Sequence, residues 1–143
     1  MARSIAMPSE GTSPFISGEM VAVAGRVLIA ILFVLSGIGK VAAPAMNLAY
    51  IKAAGLPLAP LALAGAALVE LAGGMALILG YRTRLAATAL TVFSVLAALF
   101  FHSNFADQNQ MIHFLKNFAV AGGLLQVAAF GGGRFSLDGR RRR

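Results

Sequence analysis

The stretch LALAGAALVELAGGMALILG, Leu61–Gly80, holds a single charge, Glu70, near its centre. A helix of about 20 apolar residues crosses the ~30 Å hydrocarbon core of a bilayer. Read that way, the run places a carboxylate at mid-depth, where an ionised group costs at least ~2.5–3.5 kcal/mol. Glu70 therefore needs a buried partner, a proton or a water-lined cavity. It is the only charge between Lys52 and Arg82, so any partner comes from another part of the chain.

The rest of the sequence agrees with a membrane reading. Of its 143 residues, 59% are hydrophobic and 12% charged, against roughly 25% charged in soluble domains. There is no cysteine, which excludes disulfides, thiolate metal sites and cysteine-ligated iron–sulfur clusters. Any redox role must use a bound cofactor or a partner. The net charge of +7 is concentrated at the C-terminus, in Arg140, Arg141, Arg142 and Arg143. On a membrane protein such a cluster sets topology and meets anionic headgroups, so nucleic acid is not an expected partner.

Four apolar runs are long enough to span: 20–39, 61–80, 85–101 and 111–130. Backbone groups in lipid must be satisfied internally, so the runs read as helices. The fold expected is all-α, a four-transmembrane-helix bundle over residues 20–133. Residues 1–19 lack the apolar core of a secretory signal and read as a flexible tail, with Met20 a second candidate start. Residues 134–143 read as a basic tail. Between the first two spans, Pro44 suits a helix start and Gly55-Leu56-Pro57 a stop, so Ala45–Ala54 reads as a short interfacial helix. The Tyr81–Arg84 connection is tight and makes its flanking spans antiparallel neighbours.

An even number of spans puts both termini on one side, together with Arg82, Arg84, Arg134 and the arginine tail. The other side holds Lys40 and Lys52. The positive-inside rule then places both termini in the cytoplasm.

Several polar side chains lie within the spans. Arg26 sits ~6 Å to the cytoplasmic side of its span's midpoint and Lys116 ~6 Å to the outer side of its own. Both are long enough to snorkel toward Glu70. Two cations and one anion in one interior leave a positive charge, which suits an anionic or carbonyl-bearing ligand. In the fourth span Gln110, His113, Lys116 and Asn117 share a face by their spacing. His113 and Lys116 are candidate donors to a quinone carbonyl. Ser36 and Lys40, one turn apart at the end of the first span, could face the same cavity from its rim; alternatively, Lys40 simply marks the span's end. The candidate ligand or proton-relay residues are thus Glu70, Lys116, His113, Asn117, Arg26 and Lys40. His102 and His113 have no metal-site spacing signature. No nucleophile–base pair or nucleotide-binding loop is present, so catalytic residues are unassigned and no self-contained enzyme is evident.

The ordered pieces Ser36-Gly37-Ile38-Gly39-Lys40, Ala54-Gly55-Leu56-Pro57, Val69-Glu70-Leu71-Ala72-Gly73-Gly74, Thr83-Arg84-Leu85-Ala86-Ala87 and Ile112-His113-Phe114-Leu115-Lys116-Asn117 give the chain a recognisable pattern. It resembles the DoxX family of small four-helix membrane proteins over roughly Arg26 to Asp138. The resemblance implies an inner-membrane protein of a group often labelled as oxidoreductases. The group is named after a subunit linked to quinol oxidation and thiosulfate:quinone oxidoreduction. By position, Glu70, His113, Lys116 and Asn117 occupy that family's polar motif sites. The implied cofactor is a quinone. Beyond the lipid bilayer, the implied partners are soluble redox enzymes or another membrane oxidoreductase subunit, with a homo-oligomer also open. Three roles follow as expectations: a quinone-linked subunit or anchor, a non-catalytic scaffold for soluble redox enzymes, or a small-solute or proton transporter.

The topology is directly testable. A reporter fluorescent only in the cytoplasm, fused after Arg143, should be bright; a periplasm-only reporter at the same point should be silent, and the reverse pattern refutes the assignment.

Overall fold

A computed structural model describes residues 17–141. The N-terminal tail expected over 1–19 lies, as far as residue 16, outside them, as do Arg142 and Arg143. Four helices are long and apolar enough to cross a membrane: α1 (Gly18–Ala42), α3 (Ala59–Leu79), α4 (Thr83–Phe101) and α5 (Gln108–Phe130). The shortest has 19 residues, about 28 Å at 1.5 Å per residue. Between α1 and α3 lies the short α2 (Pro44–Ala53), and a final turn forms α6 (Leu137–Arg140). No strand occurs among the described residues. The fold is all-α, as the apolar runs predicted.

The helices overrun their apolar segments because the flanking residues cap them. Ser17 Oγ accepts from the Met20 amide at 3.3 Å and starts α1. Asp107 Oδ1 accepts from the amides of Asn109 at 2.8 Å and Gln110 at 3.4 Å, which starts α5 ahead of its apolar run. Each cap satisfies amides that have no partner within the helix. Pro44 occupies the first turn of α2, where its missing N–H costs nothing.

α1 packs on α3, α3 on α4 and α4 on α5, while α5 touches α1 more lightly and closes the bundle. The interior is small: Ala30, Phe33, Leu77, Ala87, Leu90 and Leu124 are buried together. Outside, Leu28, Leu35, Leu61, Leu68 and Phe130 are exposed along the helices. Water-soluble proteins seldom show apolar surface on that scale. Here it is the lipid-facing surface of a multi-pass membrane protein. α1 and α3 approach closely at Gly74, where a Cβ would stand 2.7 Å from Val34 Cγ2 and 3.2 Å from the Ala30 carbonyl. Removing a side chain lets two membrane helices gain dispersion contact along their backbones.

One end of the bundle gathers both ends of the described chain. α3 stops at Gly80, whose φ of 67° reverses the chain, and the Tyr81 amide returns to the Ala76 carbonyl at 2.9 Å. This is the glycine-terminated stop common at helix C-termini. After α5 the chain folds back over these helix ends. The Asp138 amide donates to the Gly80 carbonyl at 3.0 Å. Asp138 Oδ1 accepts from the Arg82 amide at 2.9 Å, and Oδ2 accepts from the Thr83 amide at 2.7 Å and its hydroxyl at 2.8 Å. α4 has no side-chain cap from its own start, and this distant carboxylate supplies one. The opposite end carries α2 and the α4–α5 connection.

Gly74→Val should destabilise the purified protein by about 1–3 kcal/mol through overpacking, read as a lower midpoint in detergent unfolding. Gly122→Ala, where a Cβ meets nothing within 4 Å, should leave the midpoint unchanged or raise it slightly.

Candidate functional site

Glu70 is 3% exposed and faces α1. A Cβ on Gly37 would stand 3.3 Å from Glu70 Cβ, so Gly37 lies level with the acid and Lys40 lies one turn nearer α2. The Lys40 side chain reaches back along that turn. Its Nζ donates to Glu70 Oε1 at 2.9 Å and lies 2.8 Å from Oε2. The Oε2 contact is one of charge, without hydrogen-bond geometry, and Oε2 has no hydrogen-bond partner among the described residues. Ser36 completes the group. Its hydroxyl donates to Glu70 Oε1 at 3.0 Å and accepts from Lys40 Nζ at 3.0 Å.

The base that neutralises Glu70 is therefore Lys40, and the expectation of Arg26 or Lys116 is corrected. Arg26 lies at the other end of α1, fourteen residues or ~21 Å from Lys40. It is 3% exposed and spends its guanidinium on backbone carbonyls, donating from Nη1 to Gly132 and from Nη2 to Phe135 at 3.1 Å. It lies in the half of α1 nearer the chain ends, where a nearer set of acceptors takes it. Lys116 is exposed on the outer face of α5. It stands about 140° around that helix from the buried Ala121, so its side chain starts on the wrong side. The surplus buried cation expected in one interior is absent for the same reason.

Beside the Lys40–Glu70 pair opens a cavity of about 530 Å³ in the half of the bundle nearer α2. Ser36, Lys40 and Glu70 supply its polar wall; Asn47, His102 and Asn117 add polar groups around it. Phe33, Phe93, Phe100 and Phe101 with Leu32, Val69 and Leu96 are among the apolar residues of the remaining wall. Tyr50 of α2 stacks on Phe101 of α4, with centroids 5.3 Å apart and planes 15° from parallel. That stack ties the interfacial helix across the cavity. His102 lies near it, its Nδ1 2.8 Å from Gln110 Oε1 and its ring stacked 5.0 Å from that of His113.

Of the six residues singled out from sequence, the structure brings Glu70, Lys40 and Asn117 to this cavity. Arg26 is spent at the other end. His113 is exposed and reaches the site only through its stack on His102. Asn117 donates to the His113 carbonyl at 2.9 Å. Sequence reasoning missed Asn47, Tyr50 and the aromatic residues of α1 and α4 as cavity walls. The spacing of Phe93, Phe100 and Phe101, at offsets of seven and eight that put them on one face of α4, was the available signal.

The family model for DoxX matches residues 21–103, from α1 to the end of α4. The chain belongs to the DoxX family. Ser36, Lys40 and Glu70 all fall inside the matched segment of this DoxX-family protein. It is 38% identical over 115 residues to Inner membrane protein YqjF of Escherichia coli (strain K12), covering 79% of this chain and 85% of that protein. It is 28% identical over 120 residues to Inner membrane protein YphA of the same organism, covering 80% of this chain and 86% of that one. No solved structure matches the chain.

The coupling of the pair can be measured by a double-mutant cycle. Lys40→Met leaves a buried carboxylate without its counter-charge and should cost about 3–5 kcal/mol. Lys40→Met with Glu70→Leu should recover most of that loss in the same unfolding assay. Destabilisation by the double variant equal to the sum of those of Lys40→Met and Glu70→Leu measured singly would show that the two side chains are not coupled.

Proposed function

We propose that this protein is an inner-membrane, quinone-binding subunit of an oxidoreductase system, with the headgroup held in the cavity beside Lys40 and Glu70. The observation that carries this reading is a buried carboxylate bonded to a half-buried ammonium and hydroxyl, set in an otherwise largely apolar, aromatic wall. A cavity of about 530 Å³ is in the usual range for small-molecule sites, which are largely apolar with a few convergent polar groups. An ammonium has three N–H donors. Lys40 uses one on Ser36 and one on Glu70 Oε1, which leaves one for a ligand carbonyl. Glu70 Oε2 has no hydrogen-bond partner among the described residues but is closed to solvent and 2.8 Å from Lys40 Nζ, so a proton from a ligand hydroxyl would reach Glu70 through Lys40 or Ser36.

When bound, the quinone would supply the two-electron chemistry. The chain's own part is narrower. Lys40 binds and polarises an oxygen, Ser36 fixes the direction of the ammonium, and Glu70 neutralises it and receives a proton. The phenylalanine walls exclude water and offer faces for ring stacking. With no cysteine in the chain, electrons enter or leave through a partner, either a soluble redox enzyme or another membrane subunit. Both termini lie in the cytoplasm in this reading, and the cavity belongs to the outer half of the membrane.

The test is the quinone content of protein purified from membranes. Wild type and Lys116→Gln should retain quinone alike, because Lys116 points away from the cavity. Ser36→Ala and Glu70→Gln should retain on the order of tenfold less, the cost of losing a hydrogen bond to a charged group. A wild-type protein with no retained quinone, and no labelling of α1, α3 or α4 by a photoreactive quinone, would overturn the reading.

A further inference from the structure

At the end of the bundle opposite that cavity, an open groove of about 790 Å³ runs between the start of α4, the end of α5 and the returning C-terminal segment. Four guanidinium groups line it, from Arg82, Arg84, Arg134 and Arg141, against two carboxylates, from Glu19 and Asp138. Asp138 is engaged with the first turn of α4. Glu19 stands 3.7 Å from Arg134 Nε. Four positive charges less two negative leave an excess of two. Arg82 and Arg141 also converge on one ring, lying 5.9 and 5.6 Å from the centroid of Tyr81. The ring attracts both cations but cancels neither charge.

The groove is not purely polar. Leu85 of α4 and Phe130 of α5 line it and are 61% and 79% exposed. They sit within the first and last turns of their spans, at the level where hydrocarbon gives way to headgroups. A dissolved anion would meet the guanidinium groups and leave these two side chains uncovered. A phospholipid would match both parts, with its phosphate among the arginines and its acyl chains along Leu85 and Phe130. The planar guanidinium fork suits paired hydrogen bonds to phosphate oxygens.

We propose that this groove is a binding site for an anionic phospholipid, held by its phosphodiester group and serving as a clamp between α4, α5 and the C-terminal segment. The excess of two charges fits one lipid with two phosphodiesters or two lipids with one each. This site is separate from the cavity beside Glu70 and does not depend on the quinone reading.

The experiment is native mass spectrometry of the full chain, delipidated in neutral detergent and titrated with phosphatidylglycerol, diphosphatidylglycerol, phosphatidylcholine or inorganic phosphate. The two anionic lipids should bind at least about tenfold more tightly than phosphatidylcholine, and phosphate should compete only weakly. Arg82→Gln with Arg84→Gln should lose on the order of 30-fold in anionic-lipid affinity, from roughly fivefold per basic group near an anionic surface. Lys52→Gln, at the other end of the bundle, should bind as wild type does. Wild-type binding should also weaken with added salt, a readout that holds if the double variant fails to fold. Equal affinity for phosphatidylcholine, an unaffected double variant, or salt-independent binding would each overturn the proposal. Competition by phosphate as strong as that by lipid would assign the groove to a soluble anion instead.

Discussion

Among the described residues, the Lys40–Glu70 pair, with the Ser36 hydroxyl bonded to both, is the strong directional contact between α1 and α3. In lipid, apolar side chains do not by themselves choose a helix face, because acyl chains are as apolar as leucine. A carboxylate near mid-depth does choose. Rotating α3 by a third of a turn would present Glu70 to hydrocarbon without Lys40, at a cost that no methyl contact recovers. The pair therefore fixes both the rotation of α3 and its register on α1, and Gly37 and Gly74 then let the two backbones close around it. The cavity is a consequence. Lys40 reaches inward along α1 instead of outward to the headgroups, and the aromatic side chains of α2 and α4 roof the space beside it without filling it.

Stability alone is a poor explanation for such a pair. A well-packed hydrophobic replacement of a buried ion pair is often neutral or stabilising. The bundle has the means to be held otherwise, since its far end is fastened by a different device. There, Arg26 donates to the carbonyls of Gly132 and Phe135, while Asp138 caps α4. These contacts join α1, the α3–α4 turn and the segment after α5. With that end already secured, the charges beside the ligand-sized cavity are consistent with the proposed binding role as well as with fixing the register of α3 on α1.

What could be read from the sequence was position along each helix, and what could not was direction around it. Length and hydropathy located the spans, and Pro44 with Gly55 located α2 to within a residue at each end. The isolation of Glu70 announced that a partner was needed. Choosing that partner required azimuth and reach. Arg26 and Lys116 lay at plausible depths, yet one is consumed by carbonyls more than 100 residues away in sequence and the other starts on the lipid face. Lys40 looked like a span terminus because its Cα is near the end of α1, while its ammonium is a full turn deeper. Ser36, four residues before it, was the local hint. The cap that Asp138 supplies to α4 spans 55 residues, so no window of local sequence could contain it. The aromatic walls were hidden for another reason. Phenylalanine in a membrane span is as suitable for lipid as for a pocket, and only packing separates the two.

The two ends of the molecule thus differ in electrostatic character, and the difference bears on how the protein would work within a redox assembly. Beside the cavity one cation meets one anion, so the site can accept a neutral, carbonyl-bearing molecule without leaving net charge in the membrane. A quinone and its quinol are both neutral, so under the proposed function a neutral site would suit the admission of one and the release of the other. The opposite end keeps an excess of positive charge, where headgroups and solvent can screen it. Electron transfer needs a cofactor that neither end of this chain can ligate through cysteine. The proposed function asks of this chain only binding, orientation and proton transfer, and would leave the redox centre to a partner.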